Sequence, residues 1–179
     1  LREQNPDPEK LIIGMEQAVE SATLAADIIR NIRQFVQKDD QKHTQLNLSD
    51  AVRNVMSLTV VEAQRHDVDI RLDLADDLPL VKGNRIQLEQ VVLNFIRNGI
   101  DAMDMVESDR RRLTIATCMD HGMVRVSIAD TGEGIPDESL AKIFDAFYST
   151  KDDGMGIGLS ISRSLVECHK GKIIAKSFL

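Results

Sequence analysis

An alternating apolar run, Val124, Val126 and Ile128, ends in Asp130 and then in two glycines one residue apart, Gly132 and Gly134. A strand that runs into such a turn brings its backbone very close to whatever lies beyond it. A second glycine cluster, Gly154, Gly156 and Gly158, opens a helical pattern that runs from Ile157 to Cys168. Glycines ahead of a helix N-terminus leave unpaired N–H groups facing outward, and phosphate is the commonest anion to occupy such a place. One glycine turn is a weak signal. Two of them, with an aspartate at a strand end and an Asn-rich helix upstream, are a strong one.

The remaining totals bound the setting. A chain of 179 residues, 42% of them apolar, holds one domain plus an extra element. It begins at Leu1 rather than Met, as expected of a fragment of something longer. A net charge of −7 argues against a partner built on a nucleic-acid backbone. The run Arg110-Arg-Arg112 therefore reads as a solvated turn. Cys118 and Cys168 have no metal-ligand or redox spacing, which fits a reduced cytoplasmic setting with both as small core residues. No run approaches the roughly 18 apolar residues of a membrane span. A soluble piece is expected, its parent free to be membrane-anchored.

In chain order, Leu11, Met15, Ala18, Ala22, Ala25, Ile29, Ile32 and Val36 step by four and three, a heptad seam. A second stripe (Ile12, Val19, Ala26, Phe35) widens that face and calls for partner helices. Polar residues from Lys38 to Gln45 read as a linker, and Ser49 as the N-cap of a helix bearing Val52, Val55, Met56, Val60 and Ala63. Strands follow at Val68–Leu74, Leu113–Met119, Met123–Ile128 and Lys172–Ser177, with a helix from about Asn84 to Ile100 between the first two. Asp120-His-Gly122 is a hairpin turn by composition. The mixture lacks a regular βαβ alternation, so an α+β sandwich with helices on one face of the sheet is expected.

On the helix from Asn84, Gln90, Asn94, Asn98 and Asp101 stand four, four and three apart and share one face. Stacked amide and carboxylate oxygens suit a hard cation such as Mg²⁺ beside phosphates, since magnesium keeps several waters and needs only one or two protein oxygens. The alternative is an exposed polar face. Asp130 can accept a hydrogen bond from an adenine amino group while Gly132 and Gly134 let the flat ring approach the backbone; otherwise it is an Asx-type turn residue. Phe144, Phe147 and Tyr148 are expected to anchor the segment between the glycine clusters onto the core. Lys151 reads as a point charge for a phosphate, followed by a wet, flexible Asp152-Asp-Gly154. No Walker-type phosphate loop and no protein-kinase signature is present.

Gln90-Val-Val-Leu-Asn94-Phe-Ile-Arg-Asn98-Gly-Ile-Asp-Ala-Met103 resembles the N box of bacterial sensor histidine kinases. Asp130-Thr-Gly-Glu-Gly134 is similar to their G1 box, Phe144-Asp-Ala-Phe147 to their F box and Gly154-Met-Gly-Ile-Gly158 to their G2 box. All four come in family order and cover roughly residues 44–179, and the details are most similar to the oxygen- and nitrogen-sensing branch of FixL and NtrB type. The resemblance implies a Bergerat-type (GHKL) ATPase fold, an α/β sandwich with a mixed sheet and helices on one face, preceded by a long coiled-coil or bundle helix. It implies ATP and Mg²⁺ as cofactors, with Asn98 as metal ligand, Asn94 supporting the phosphates and Asp130 on the adenine amine. Asn94, Asn98 and Lys151 would be the catalytic set. Asp101, Ala102, Gly132, Gly134, Ile135, Thr150, Gly154, Met155, Gly156, Ile157, Gly158 and Leu159 would complete the nucleotide site.

Two departures stand out. The family's acceptor histidine, followed by an acidic residue on a preceding helix, has no counterpart in His43, His66, His121 or His169. Gly99 stands where the family usually has Ala, which weakens helix propensity by up to about 1 kcal/mol. The expected organisation is residues 1–38 as the back half of a dimerisation and phosphotransfer hairpin, 39–48 as linker and 49–179 as the ATP-binding catalytic domain. The expected function is γ-phosphoryl transfer from Mg-ATP to a histidine of the missing helix and then to a response-regulator receiver aspartate. An upstream sensor domain, a homodimer through the N-terminal helix and no nucleic-acid partner complete the picture. The alternatives are a nucleotide-binding pseudo-kinase or a related GHKL ATPase module.

Overall fold

A computed structural model describes residues 14–15, 43–151 and 155–178. The chain divides into two units, Leu1–Gln41 and Lys42–Leu179. Gly14 and Met15 are helical; the rest of the expected heptad helix, residues 38–42 of the linker and residues 152–154 lie outside the described residues.

The stretch expected as linker contains a strand, β1 (Thr44–Leu46), paired antiparallel with β3 (Val81–Gly83). Leu46, opposite Val81, is 2% exposed. One buried leucine and a facing backbone edge suffice for so short a ladder. Helix α1 (Leu48–Arg65) follows, and its cap is Asn47 rather than Ser49: Asn47 Oδ1 accepts the Ser49 N–H at 2.8 Å. Moving the cap two residues back puts Ser49 inside the helix and inside the core. There its hydroxyl donates to the Ala75 carbonyl at 2.8 Å and lies 2.8 Å from Thr117 Oγ1, so three buried polar groups satisfy one another.

The main sheet is mixed, with strand order β2-β4-β5. Strand β2 (Asp69–Leu74) runs parallel to β4 (Arg112–Asp120), which runs antiparallel to β5 (Met123–Asp130). Helix α2 (Arg85–Asp101) makes the crossover between the two parallel strands. His121 and Gly122 carry φ of +48° and +79°, the left-handed pair that a two-residue hairpin requires. At that turn Asp120 receives hydrogen bonds from His121 and Arg125, which hold its carboxyl below the usual carboxylate range. The core lies between the helices and one sheet face: Val52 and Val55 of α1, Ile96 and Ile100 of α2, and Leu113 and Ile115 of β4 are all at most 2% exposed. Strand β5 alternates as a half-covered strand should: Val124, Val126 and Ile128 are half-buried, and Val126 and Ile128 pack against that core.

Helix α3 is a short piece, Asp137–Leu140, and α4 spans Gly158–Cys168. The strand expected over Lys172–Ser177 does not form. Ile173, Ala175 and Ser177 keep the alternating half-burial, because alternation records which side faces the protein and not whether a neighbouring backbone is placed to make a ladder. Cys118 is half-buried, but Cys168 is exposed at the end of α4 and is not the core residue expected.

Candidate functional site

Asn84 caps α2, accepting the Gln87 N–H at 3.2 Å, and this fixes the face that carries Asn94, Asn98 and Asp101. That face meets α4. Asn94 Nδ2 donates to Ser162 Oγ at 3.0 Å, and a methyl at Gly158 would lie 2.8 Å from Asn94 Oδ1. Glycine at 158 is thus what lets the first turn of α4 lie against Asn94. Asn98 is half-buried one turn further along, and Gln90 is half-buried one turn before. At the end of the helix Asp101 accepts an ion-paired hydrogen bond from Lys151 Nζ at 2.6 Å.

The second wall is the turn after β5. Asp130 Oδ1 accepts the Gly132 N–H at 2.9 Å, and a methyl at Gly132 would sit 2.6 Å from the Ala102 carbonyl oxygen. Gly99 lies directly beneath: its methyl would meet Leu113 Cδ1 at 2.7 Å and Asp130 Cβ at 3.5 Å. Alanine there would crowd a fully buried leucine, so the helix-propensity cost of glycine is offset by close packing of α2 on β4 and β5. Gly134 takes φ +80°, and the Ile135 N–H donates to Ser177 Oγ at 2.7 Å.

The third wall is the N-terminus of α4. Among the described residues no side chain caps it; Ser160 Oγ instead donates to the Ile157 carbonyl at 2.8 Å. Its first-turn N–H groups thus keep the orphan character that attracts anions. Gly156, at φ +63°, is pressed against the backbone of Phe147 and Tyr148, and its carbonyl accepts the Phe147 N–H at 3.0 Å. Through this crossing, exposed Thr150 and Lys151 arrive beside α2, while Met155, Ile157 and Leu159 are half-buried. Of the three aromatics expected as anchors, Tyr148 bonds Ser139 Oγ at 2.9 Å and Phe144 lies under the Arg163 guanidinium at 6.0 Å. Phe147 is 80% exposed at φ +69° and anchors nothing among the described residues. Its backbone is spent on Gly156, and its ring turns outward.

Every predicted site residue except Gly154, which lies outside the described residues, therefore falls on one of these walls or on the crossing segment. Sequence reasoning missed Ser162 and Ser177. Ser162 was detectable: it stands four residues after Gly158, on the same face of a helix that is otherwise apolar on that side.

The family described as histidine kinase-, DNA gyrase B- and HSP90-like ATPase matches residues 83–178. The chain belongs to that family. The matched span contains all three walls described above. Sensor protein FixL of Bradyrhizobium diazoefficiens is 36% identical over 174 residues, covering 97% of this chain and 34% of FixL. The C4-dicarboxylate transport sensor protein DctS of Rhodobacter capsulatus is 36% identical over 170 residues, covering 93% of this chain and 26% of DctS. The chain thus spans about a third or less of these relatives. Among solved structures, the catalytic domain of histidine kinase ThkA superposes with TM-score 0.62 at 31% identity, covering 70% of this chain and 80% of that one. ThkA in complex with the response regulator protein TrrA gives TM-score 0.75 at 25% identity, covering 94% and 48%. The fold is the GHKL ATPase fold, α+β with a mixed sheet, and it is the fold of histidine kinase catalytic domains.

Proposed function

We propose that this chain binds Mg-ATP between the asparagine face of α2, the Asp130–Gly134 turn and the N-terminus of α4, and that within a longer protein it transfers the γ-phosphoryl group to a histidine on a separate helix. The phosphoryl group then passes to an aspartate of a response-regulator receiver domain in the cytoplasm. Residues 1–38 belong in this reading to a dimerisation hairpin that sits downstream of a sensor domain. The observation that carries it is the convergence of three segments far apart in sequence on the Asn94–Ala102 stretch of α2, where the N-terminus of α4, uncapped by any described side chain, lies against Asn94.

Asp130 accepts the adenine amino hydrogen, with Ala102, Gly132, Gly134 and Ile135 flanking the ring. Backbone N–H groups from Met155 to Leu159 face the phosphates, with Thr150 and Lys151 reaching them from the crossing segment. A divalent ion fits here only in one way. Among the described residues no three carboxylates, histidines or cysteines converge on a metal position. The protein's share would be an amide oxygen of Asn98, supported by Asn94, and phosphate and water would supply the other oxygens magnesium takes. Such an ion neutralises charge on the transferring group. The residues themselves orient the nucleotide and keep its phosphates fixed.

The histidines support an acceptor on another element. His66 and His121 bond Asp104 and Asp120, and the His169 ring, 5.1 Å from that of His43, is used on both nitrogens. A hydrolase of the same family needs a base to activate water. The one glutamate near the right place, Glu89, is turned to Asn54 on α1 at 3.0 Å and away from the cleft.

Titration of Mg-ATP against the chain tests the site. Asp130→Asn should weaken binding roughly ten- to hundred-fold, the worth of one hydrogen bond to a charged group. Asn98→Ala should remove the magnesium dependence while leaving ADP binding without metal intact. Equal affinity in wild type and both variants sinks the proposal. Separately, incubation with γ-labelled Mg-ATP should leave no stable label on this chain; acid-labile label on any of its four histidines would place the acceptor here instead.

A further inference from the structure

The Arg110–Arg112 run is not a uniformly solvated turn. Arg112 Nε pairs with Asp69 at 3.4 Å, while the half-buried Arg111 spreads its guanidinium over three backbone carbonyls. Its Nε donates to Val106 O at 2.8 Å, Nη1 to His66 O at 2.7 Å and Nη2 to Asp104 O at 2.9 Å. His66 is the C-cap of α1, and Asp104 and Val106 belong to the turns that finish α2. Helix C-termini leave carbonyls without partners and carry partial negative charge, so one delocalised cation with five fixed donors suits this junction.

The residues on either side of Arg111 hold the nucleotide turn. Thr131 Oγ1 donates to the Arg110 carbonyl at 2.7 Å and accepts the Arg112 N–H at 2.9 Å, and the Thr131 N–H donates to the Arg112 carbonyl at 3.1 Å. Thr131 separates Asp130 from Gly132, the glycine that touches Ala102. One tripeptide therefore fastens the Asp130 turn through Thr131 and the end of α2 through Arg111. These two turns touch at Ala102 and Gly132, and Asp130 stands at their junction.

We propose that Arg111 is a positioning residue for base recognition: by locking the Ala102–Val106 turn against the Asp130–Gly132 turn, it sets the aim of the Asp130 carboxylate. The proposal rests on the nucleotide reading above and adds to it a determinant that touches no ligand. Adenine offers an amino hydrogen where guanine has a carbonyl, so the aim of Asp130 decides the preference for ATP over GTP.

The test compares ATP and GTP affinities for wild type, Arg111→Lys and Thr131→Val. Circular dichroism and thermal melting establish that each is folded at the assay temperature. Lysine keeps the charge but cannot span three carbonyls. Arg111→Lys should weaken ATP about tenfold (about 1.4 kcal/mol) while GTP changes little, so the preference narrows by the same factor. Thr131→Val, which cuts the strap on the other side, should narrow it likewise and decides the matter if Arg111→Lys does not fold. Folded variants that keep wild-type affinity and preference overturn the proposal. So does an equal loss for both nucleotides, since that reports general loosening rather than aim. A wild type that binds neither nucleotide overturns the nucleotide site itself, and this role for Arg111 with it.

Discussion

Gly156→Ala should abolish saturable Mg-ATP binding while leaving the sheet and helices α1 and α2 folded. At φ +63° the backbone of Gly156 is left-handed, a conformation that costs an ordinary residue about 1–2 kcal/mol. The added methyl would also meet the carbonyl carbons of Phe147 and Tyr148 at 2.5 Å and crowd the Tyr148 oxygen. These atoms are backbone and cannot rotate aside. Either the 147–151 segment lifts off, taking Lys151 from Asp101, or residue 156 shifts and moves the first turn of α4 away from Asn94. Both outcomes take apart the phosphate wall. The hydrophobic core lies on the other side of α2 and has no share in the contact, so the thermal midpoint should fall little without nucleotide and should no longer rise when it is added. Wild-type affinity in this variant would mean that the crossing of Gly156 with residues 147 and 148 is irrelevant to the ligand.

Gly132→Ala should lose nucleotide binding and destabilise the fold as well. Its methyl would stand 2.6 Å from the Ala102 carbonyl oxygen, 3.0 Å from the Ala102 carbon and 2.8 Å from Asp130 Oδ1. Relief requires the end of α2 and the turn after β5 to separate, and both are rooted in the core through Met103, 0% exposed, and Leu113. Overpacking of this kind costs about 1–3 kcal/mol, which denaturant titration resolves, and the same movement displaces the Asp130 carboxylate. Gly122→Ala is the control. That residue has φ +79° but nothing within 4 Å of the added methyl. Its cost should be the conformational 1–2 kcal/mol or so alone, with nucleotide affinity unchanged. If Gly132→Ala behaved like Gly122→Ala, the contact between the turn and α2 would not be a wall of the site.

What the sequence could disclose depended on whether a residue's neighbours along the chain are also its neighbours in space. Val124, Val126 and Ile128 announced β5 because a period of two converts directly into alternate burial, and the apolar spacing after Asn84 announced α2, although the capping role of Asn84 itself was not read. The glycine clusters were legible for the same reason: each marks a local approach of backbone. Strands β1 and β3 were not, since three residues cannot display a period. Ser49 was misplaced because its buried partners, Ala75 and Thr117, lie in other elements, while Asn47 serves equally well as a cap. Phe147 looked like an anchor by residue type, yet its outward turn is decided by Gly156. Lys151 and Asp101 are 50 residues apart, and no spacing rule joins them. Arg110, Arg111 and Arg112 are indistinguishable by composition; only the positions of carbonyls from two helices single out the middle one.

His169 ties the far ends of the two helices that flank the cleft. Its Nδ1 donates to the Leu165 carbonyl at 2.7 Å, and its Nε2 accepts the N–H of Asn84, just ahead of α2, at 2.9 Å. A methyl at neighbouring Gly83 would already press on the ring at 2.8 Å, so the knot is tight as well as bonded. Toward the glycines the same two helices meet again through Asn94 and Ser162, while Lys151, which belongs to neither helix, reaches Asp101 from the crossing segment. Losing the imidazole would therefore unfasten α4 from α2 at the end remote from Gly158 while leaving the Asn94–Ser162 bond in place.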